Sequence, residues 1–208
     1  MTGNHYFSAD PQGSPERRTI PVDIGDRHYR LAAAGGVFSA GRLDPGTSVL
    51  LRKASLPDSG ESGPLLDLGC GYGPIAVVLA GAALRSTVYA VDVNPRALEL
   101  TRENGQTAGF ADRLVVAHPD EVSEDVRFTQ IWANPPVRIG KPAMRDMLLR
   151  WLPRLTPEGV AWLVIGRHLG GDSLQRWLAE QGWTAQRWAS QQGFRVLRVS
   201  RPAAGTPV

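Results

Sequence analysis

The stretch Leu65-Leu66-Asp67-Leu68-Gly69-Cys70-Gly71-Tyr72-Gly73-Pro74 decides the fold, because it joins a short apolar strand to a helix through a loop of alternating glycines. Glycines at 69, 71 and 73 let the backbone turn tightly and let a ligand approach without a Cβ in the way. Pro74 suits the first turn of a helix, where its missing N–H costs little. The stretch therefore predicts a loop for a nucleotide-like cofactor at the carboxyl end of a strand.

Three acidic residues are placed where such a cofactor could meet them. Asp67 lies in the strand before the loop, and Asp92 ends the next predicted strand, about 20 residues later, where a carboxylate can accept hydrogen bonds from ribose hydroxyls. Asp120 follows the third strand and is either a contact for an adenine amino group or a solvated turn residue. The glycine spacing differs from the G-x-G-x-x-G fingerprint of dinucleotide sites, so the pattern favours a methyl-donor cofactor.

Strand and helix patterns alternate from Pro64 onward, which predicts a mainly parallel sheet with helices on both faces. The predicted strands are 64–68, 87–92, 113–117, 128–133 and 159–165, and the predicted helices are 74–83, 95–108, 141–152 and 171–181. The ending differs: 183–189 and 194–200, with a turn at 191–193, predict an antiparallel pair.

The region before the glycine loop predicts a separate extension. Residues 19–24 and 27–34 flank Gly25-Asp26, which is a hairpin signal. Asp44-Pro45 indicates a helix N-cap and first turn, with the helix running to Lys53. We predict two regions: residues 1–60, an arm, hairpin and helix that pack on the core, and residues 61–208, the cofactor-binding domain.

Asn134-Pro135-Pro136 is the second strong signal, because it follows the apolar strand pattern of 128–133. An exocyclic or amide nitrogen is a poor nucleophile, since its lone pair is delocalised, so a catalyst must accept its N–H bonds and orient that lone pair. The Asn134 side-chain carbonyl and the Pro135 backbone carbonyl can do this, and each is restricted by the proline that follows it. Asn-Pro alone also marks ordinary turns. With the glycine loop, the motif predicts methyl transfer from S-adenosylmethionine by positioning and electrostatic orientation.

The composition limits the remaining possibilities. The chain has 208 residues, 42% of them hydrophobic and 21% charged, as in ordinary soluble domains. No apolar run reaches the roughly 18 residues of a membrane span, and the polar start lacks an apolar signal segment, so we expect no membrane association and a cytoplasmic location. The single cysteine, Cys70, excludes an internal disulfide and a multi-cysteine zinc site, and we expect no metal.

Basic residues cluster directly after the Asn-Pro-Pro motif, although the net charge of the chain is only +3. Such a cluster could hold the phosphates of a nucleic acid. Its members are Arg138, Lys141, Arg145, Arg150 and Arg154.

These patterns resemble the methyltransferase small domain family of class I S-adenosylmethionine-dependent methyltransferases, and within it the ribosomal RNA guanine-N2 enzymes of the small-subunit methyltransferase C type. The resemblance covers nearly the whole chain, and its most family-specific mark is Gly36-Val37-Phe38-Ser39. The other stretches that carry it are His5-Tyr6-Phe7, Leu43-Asp44-Pro45-Gly46-Thr47, the glycine loop to Ile75, Ala90-Val91-Asp92-Val93-Asn94 and Asn134-Pro135-Pro136.

The resemblance implies a Rossmann-like α/β fold: a seven-stranded, mostly parallel sheet whose last strand is antiparallel. The implied cofactor is S-adenosylmethionine. The residues implied to contact it are Asp67, Gly69 and Gly71, with Asp92 at the ribose and Phe38 and Ser39 in a nearby loop. The family's motif often has an aromatic residue after the two prolines, where this chain has Val137.

The implied substrate is a guanine amino group of RNA, in ribosomal RNA or a ribosomal subunit, approached by Asn134 and Pro135. We expect Pro136, Val137, Arg138 and Lys141 to contact it. At this length we expect no second, cofactor-lacking copy of the fold, so docking would fall to the hairpin, to residues 138–154 or to a partner protein. Two alternatives stay open: a protein glutamine-amide methyltransferase, and a cofactor-binding RNA-associated module without turnover.

Overall fold

The computed structural model describes residues 17–39, 41–135 and 140–202, except the side chain of Leu169. Its strands are β1 (Arg17–Ile24), β2 (Arg27–Ala34), β3 (Leu65–Leu68), β4 (Val88–Val91), β5 (Leu114–Ala117), β6 (Phe128–Ala133), β7 (Leu155–Gly166), β8 (Thr184–Gln191) and β9 (Phe194–Ser200). Its α-helices are α1 (Pro45–Lys53), α2 (Pro74–Ala82), α3 (Pro95–Thr107), α4 (Lys141–Trp151) and α5 (Gly171–Glu180). Every predicted strand and helix is present; β7 begins at Leu155 rather than 159.

Strands β3 to β9 form one sheet in the order β5-β4-β3-β6-β7-β9-β8. β3 pairs in parallel with β4 and β6, β4 with β5, and β6 with β7. β9 is antiparallel to both of its neighbours, β7 and β8, and so runs against the other strands of this sheet. The predicted seven-stranded sheet with one antiparallel strand is confirmed.

The chain order creates a switch point in the middle of this sheet. The chain runs from β3 outward through β4 and β5, then crosses back to β6 on the other side of β3. Ligands of open α/β sheets bind at the carboxyl ends of strands at such a point. Leu68 and Ala133, the last residues of β3 and β6, are register partners, so the segments that follow them start side by side.

Hydrophobic cores cover both faces of the sheet, because successive strand residues point to opposite faces. In β7, Trp162 and Val164 belong to the core formed with α1, α2, α3 and the hairpin. Leu163 and Ile165 belong to the core formed with α4 and α5. Every apolar residue of the central strands β3 and β6 is therefore buried, as in other parallel sheets, whereas Val115 of β5 and Trp188 of β8, in the two edge strands, are exposed.

The N-terminal hairpin and α1 share a core with the glycine-loop domain. Ile20 of β1, Leu31 of β2 and Leu50 of α1 are buried in the same cluster as α2. Asn104 of α3 accepts a 2.7 Å bond from the Ala32 N–H and donates to the Ala32 carbonyl at 2.8 Å. The boundary at residue 60 stays a prediction. In the described parts of the chain, no helix is long and apolar enough to span a bilayer.

Candidate active site

The glycine loop after β3 adopts the left-handed conformations that glycine tolerates. Gly69, Gly71 and Gly73 have φ of 77°, 59° and 88°. A Cβ added at Gly69 would meet no atom within 4 Å, so this backbone faces open space that a ligand can fill. A Cβ at Gly73 would come within 2.9 Å of Thr101, so the third glycine serves the packing of α2 against α3.

Asp92, directly after β4, holds the loop in place. Its Oδ2 accepts a 2.9 Å hydrogen bond from the Gly71 N–H, and its Oδ1 accepts one of 2.9 Å from the Asn94 N–H. The Asp92 side chain is buried, which raises its pKa, while the backbone N–H groups act in the opposite direction. Each carboxylate oxygen can accept a second bond. Asp92 is not among the residues that line the cleft described below, so the ribose contact predicted for it stays a prediction.

Asp67 supports the loop from beneath. Its Oδ2 accepts a 2.9 Å bond from the Ala76 N–H in the first turn of α2, while its Oδ1 has no partner among the described residues. The side chain is fully buried, and this burial raises the pKa of Asp67 to about 8; the Ala76 N–H opposes the rise and the charge of Asp92 adds to it. A direct cofactor contact by Asp67 stays a prediction.

Asn134, directly after β6, has an amide of defined orientation. Its Nδ2 donates to Asp44 Oδ1 at 2.7 Å and to Thr47 Oγ1 at 3.0 Å. A carboxylate accepts but does not donate, so the NH2 group of Asn134 must face Asp44. The Asn134 carbonyl oxygen, for which the described residues provide no donor, is left to accept hydrogen bonds from a ligand.

The start of α1 supplies these two partners. Asp44 is the N-cap of α1, and its Oδ1 also accepts a 2.9 Å bond from the Thr47 N–H. A Cβ added at Gly46 would lie 3.0 Å from Asp44 Oδ1 and 3.0 Å from the Phe194 ring, so the tight approach of α1 to the site requires a small residue there. The helix ahead of the glycine-loop domain is therefore part of the site.

These segments enclose one cleft with about 340 Å³ of empty space, open solvent at its mouth included. Its lining residues are Phe38, Ser39, Asp44, Thr47, Gly69, Cys70, Gly71, Tyr72, Pro74, Ile75 and Asn134. The Tyr72 hydroxyl is buried and has no partner among the described residues. Burial and the nearby Asp44 charge raise the pKa of Tyr72, so its hydroxyl keeps its proton.

The segment at 36–39, the most family-specific mark of the sequence, closes one side of the cleft. The Asn94 side chain donates a 3.0 Å bond to the Gly36 carbonyl, which ties this segment to the loop after β4. Ser39 has a φ of 59°, and its hydroxyl donates to the Arg42 carbonyl at 2.7 Å. Phe38 and Ser39 therefore lie at the cleft, although their contact with a cofactor stays a prediction.

The structure brings together five of the predicted site residues in this cleft: Phe38, Ser39, Gly69, Gly71 and Asn134. Pro135 is buried beside Asn134 but does not line the cleft, so the role of its carbonyl stays a prediction. Lys141 begins α4 and is exposed. Pro136, Val137 and Arg138 lie outside the described residues.

Asp120 does not lie in the cleft. It belongs to a short 3-10 turn at 119–121, its side chain is exposed, and Arg150 donates to its Oδ1 at 2.9 Å. An adenine contact by Asp120 stays a prediction and would have to compete with this ion pair.

The predicted basic cluster is only partly available to phosphates. Arg154 is buried, donates to the carbonyls of Ser123 and Val126, and stacks on Trp151 with its guanidinium 4.5 Å from the ring centre. Its inclusion in the cluster is therefore wrong, because the turn after α4 points it into the core. Arg145 and Arg150 also have protein partners, since they stack on tryptophans and Arg150 pairs with Asp120.

Six cleft residues are not among the site residues predicted from the sequence: Asp44, Thr47, Cys70, Tyr72, Pro74 and Ile75. The sequence predicts Asp44 only as a helix cap, because one sequence does not show where on the sheet the helix that Asp44 caps will pack. A signal was present, since Asp44 and Thr47 fall in a family-specific stretch. Tyr72 sits between two glycines of the loop, where a large aromatic residue is not needed for the turn.

The comparisons with known proteins agree with this fold. The model of the methyltransferase small domain family matches residues 28–198, and the chain belongs to that family. It is 30% identical over 171 residues to the uncharacterized protein YbxB of Bacillus subtilis, covering 81% of this chain and 84% of that protein. It is 33% identical over 166 residues to the ribosomal RNA small subunit methyltransferase C of Psychromonas ingrahamii, covering 76% of this chain and 45% of that protein.

A solved structure shows the same fold with ligands. The chain is similar to the T. thermophilus 16S rRNA N2 G1207 methyltransferase RsmC, which was solved in complex with AdoMet and guanosine, with a TM-score of 0.77 and 26% identity. This match covers 89% of the chain and 51% of RsmC. The chain thus spans about half the length of the ribosomal RNA methyltransferases it matches.

The residues present fit S-adenosylmethionine as the cofactor. The backbone at Gly69 faces open space, and the buried Tyr72 hydroxyl, which has no partner among the described residues, offers a polar contact in the same cleft. Together with the family and the AdoMet-bound neighbour, this supports an S-adenosylmethionine-dependent methyltransferase.

Proposed function

We propose that the chain methylates the exocyclic N2 amino group of a guanine in ribosomal RNA. The observation that carries the proposal is the fixed amide of Asn134 beside the glycine loop. Its NH2 group is held by Asp44 and Thr47, which turns its carbonyl oxygen into the acceptor for an incoming amino group.

Acceptor geometry is what this reaction needs from the protein. The lone pair of an exocyclic amine is delocalised into the ring, so the nitrogen attacks only when its N–H bonds are held and the lone pair is directed out of the ring plane. The Asn134 carbonyl accepts one N–H, and the Pro135 carbonyl, one residue further along, is the candidate for the second. Fixed acceptors of this kind lower a barrier because they do not reorganise during the reaction.

The cofactor side would be held by the loop after β3 and the end of β4. Gly69 gives access to the backbone, Asp92 presents carboxylate oxygens for the ribose, and Phe38 and Ser39 close the cleft. S-adenosylmethionine supplies an activated methyl group when bound. The protein then brings the acceptor nitrogen close to it and aligned with it, and such positioning alone can supply about 7–11 kcal/mol of the barrier.

No strong general base is required at the site. The amine gains acidity as it is methylated, and its proton then leaves along the hydrogen bond to an acceptor oxygen or to water. Asn134 cannot take up that proton permanently, so its role is to orient and to stabilise the growing positive charge with its carbonyl dipole.

The relatives favour RNA over protein as the substrate. The matched Psychromonas ingrahamii protein is named a ribosomal RNA methyltransferase, and the T. thermophilus structure holds guanosine. A base in a duplex must be turned out of its stack to reach such a cleft. A cytoplasmic location would follow from a ribosomal substrate and stays a prediction.

The test uses the purified protein, methyl-labelled S-adenosylmethionine, and ribosomal subunits from a strain that lacks the corresponding gene. We expect label in the RNA, and N2-methylguanosine on digestion and mass spectrometry. Label in a ribosomal protein would instead favour the glutamine-amide alternative. Absence of label from both fractions, with intact cofactor binding, would favour the non-catalytic module.

A further inference from the structure

We propose that Asp44 selects guanine, by accepting the N1–H of the base while Asn134 accepts its N2 amino group. The proposal rests on the proposed function and adds a specificity-determining residue to it. Asp44 comes from the N-terminal extension rather than from the two motifs that define the site, and it lines the same cleft as Asn134.

The two oxygens of the Asp44 carboxylate have different surroundings. Oδ1 accepts two hydrogen bonds, from Asn134 Nδ2 at 2.7 Å and from the Thr47 N–H at 2.9 Å. Both hydrogen bonds that the described residues make to this carboxylate go to Oδ1, and none goes to Oδ2. Because Oδ1 already accepts two hydrogen bonds within the protein, Oδ2 is the oxygen that remains for a ligand. A carboxylate oxygen carries no hydrogen, so Oδ2 can accept a hydrogen bond but cannot donate one.

The cleft therefore presents two hydrogen-bond acceptors on neighbouring side chains: the Asn134 carbonyl oxygen and Asp44 Oδ2. Guanine carries two adjacent donors, the N2 amino group and N1–H. Adenine places an acceptor nitrogen beside its amino group, and so does cytosine; a glutamine amide places its own carbonyl there. In the proposed function the two N–H bonds of the amino group go to Asn134 and Pro135, so Asp44 Oδ2 would face the position beside the amino group, and among these four groups guanine alone has a donor there.

The energetic scale is large enough to select a base. A hydrogen bond to a charged group contributes about 1.5–3 kcal/mol, and a carboxylate facing an acceptor nitrogen loses this bond and is repelled as well. The expected discrimination is therefore at least about tenfold in binding. Sites that hydrogen-bond a polar group of their ligand reject analogues without that group in the same way.

Asp44→Asn is the discriminating substitution. Its side-chain oxygen must stay at the Oδ1 position, because two donors, Asn134 Nδ2 and the Thr47 N–H, point at it. The new NH2 group then takes the place of Oδ2 and turns an acceptor into a donor. The helix cap and the orientation of Asn134 are kept, while the group that faces N1 is reversed.

The probes are guanosine and 2-aminopurine riboside, titrated calorimetrically into protein saturated with S-adenosylhomocysteine. 2-Aminopurine keeps the amino group at C2 but has an acceptor at N1. We expect the wild type to bind guanosine at least about tenfold more tightly, and Asp44→Asn to abolish or invert this ratio. The missing O6 of 2-aminopurine affects both proteins alike, so the change in the ratio isolates the N1 contact.

Thr47→Val is the matched control, because it removes the other acceptor on the Asn134 amide without altering Asp44 Oδ2. It should lower the affinity for both nucleosides and keep their ratio. If the ratio of guanosine to 2-aminopurine riboside affinity is the same in Asp44→Asn as in the wild type, the proposal is overturned. If Asp44→Asn in addition binds S-adenosylhomocysteine more weakly, the carboxylate contacts the cofactor instead. If Asp44→Asn does not fold, the wild type is titrated with guanosine and with 1-methylguanosine, which lacks N1–H. Equal affinity for these two nucleosides also overturns the proposal.

The proposed function can survive that failure. N2-methylguanosine formed in RNA by the wild type, together with an unchanged ratio in Asp44→Asn, would leave the reaction in place and remove Asp44 from base selection. A wild type that methylates only protein would remove both.

Discussion

Asp44 Oδ1 accepts a 2.7 Å hydrogen bond from Asn134 Nδ2, and this contact joins two residues that are 90 positions apart in the chain. It couples the cap of α1 to the residue after β6. The consequence is chemical, because the bond determines which end of the Asn134 amide faces the cleft. The N-terminus of α1 thus sets the orientation of the Asn134 amide.

Asn134→Ala should lower turnover strongly while cofactor binding persists. The substitution removes the fixed carbonyl, and losing one such oriented contact typically costs about 10²–10³ in rate. We expect at least about a hundredfold drop in methyl transfer to ribosomal subunits, measured with saturating cofactor. Calorimetry with S-adenosylhomocysteine should give wild-type affinity. Unchanged turnover would remove Asn134 from the mechanism.

Thr47→Val should produce a smaller defect of the same kind. The Thr47 hydroxyl is the second acceptor for the Asn134 NH2 group, at 3.0 Å. One neutral hydrogen bond contributes about 0.5–1.5 kcal/mol, so turnover should fall roughly threefold to tenfold. Thr47→Ser retains the hydroxyl and should rescue turnover. An equal loss in both variants would mean that the methyl group of Thr47, and not its hydroxyl, matters.

The fold was predictable because its local signals agree with each other. The apolar run of β3, the glycines, and the prolines that begin α2 and α3 each indicate the same alternation, and the structure has it. The position of Asn134 at the cleft was predictable for a related reason, because a polar residue after a buried strand falls at the carboxyl edge of the sheet.

Long-range partners were not predictable from one sequence. Asp44 has a complete local explanation as a helix cap, so nothing in its neighbourhood indicates a second role. Arg154 shows the converse error: charge density along the chain suggested a phosphate contact, but the turn after α4 directs it onto Trp151 and two backbone carbonyls. Both outcomes depend on how elements pack, which spacing along the chain does not specify.

Tyr72→Phe should stabilise the ligand-free protein and weaken ligand binding. The Tyr72 hydroxyl is buried without a partner among the described residues, and such a group costs about 1–3 kcal/mol of desolvation. Removing it should raise the free energy of unfolding in urea by about 1 kcal/mol. Titration with guanosine and with S-adenosylhomocysteine then shows which ligand uses the hydroxyl. A loss of stability would show that the hydroxyl already has a partner in the free protein.

Asp92→Asn should act on the cofactor rather than on the chemical step. Asp92 accepts bonds from the N–H groups of Gly71 and Asn94, and its remaining lone pairs are the candidates for the ribose. We expect at least a roughly tenfold loss of cofactor affinity, since bonds to a charged acceptor are worth about 1.5–3 kcal/mol. Turnover at saturating cofactor should fall less than in Asn134→Ala. Asp112→Asn, the same charge change at an exposed site, is the control, and equal effects in both would contradict the assignment.

Asp67 should make the stability of the ligand-free protein depend on pH. Burial raises the pKa of Asp67 to about 8 in the folded chain, whereas an unfolded Asp has a pKa of about 3.9. Because the pKa of Asp67 is higher in the folded chain than in the unfolded chain, the bound proton stabilises the folded chain. This stabilisation is fully present below the pKa of the unfolded chain and is lost as the pH rises toward 8.

Asp67→Asn isolates this effect, because the amide oxygen can still accept the Ala76 N–H bond and the side chain carries no titrating proton. The free energy of unfolding of the wild type should therefore fall relative to Asp67→Asn as the pH rises from about 4 to 8, and the difference should level off above that range. Urea unfolding at several pH values measures it. A difference that rises with pH in favour of the wild type would mean that Asp67 is ionised in the folded protein, with a cation or further donors near its Oδ1.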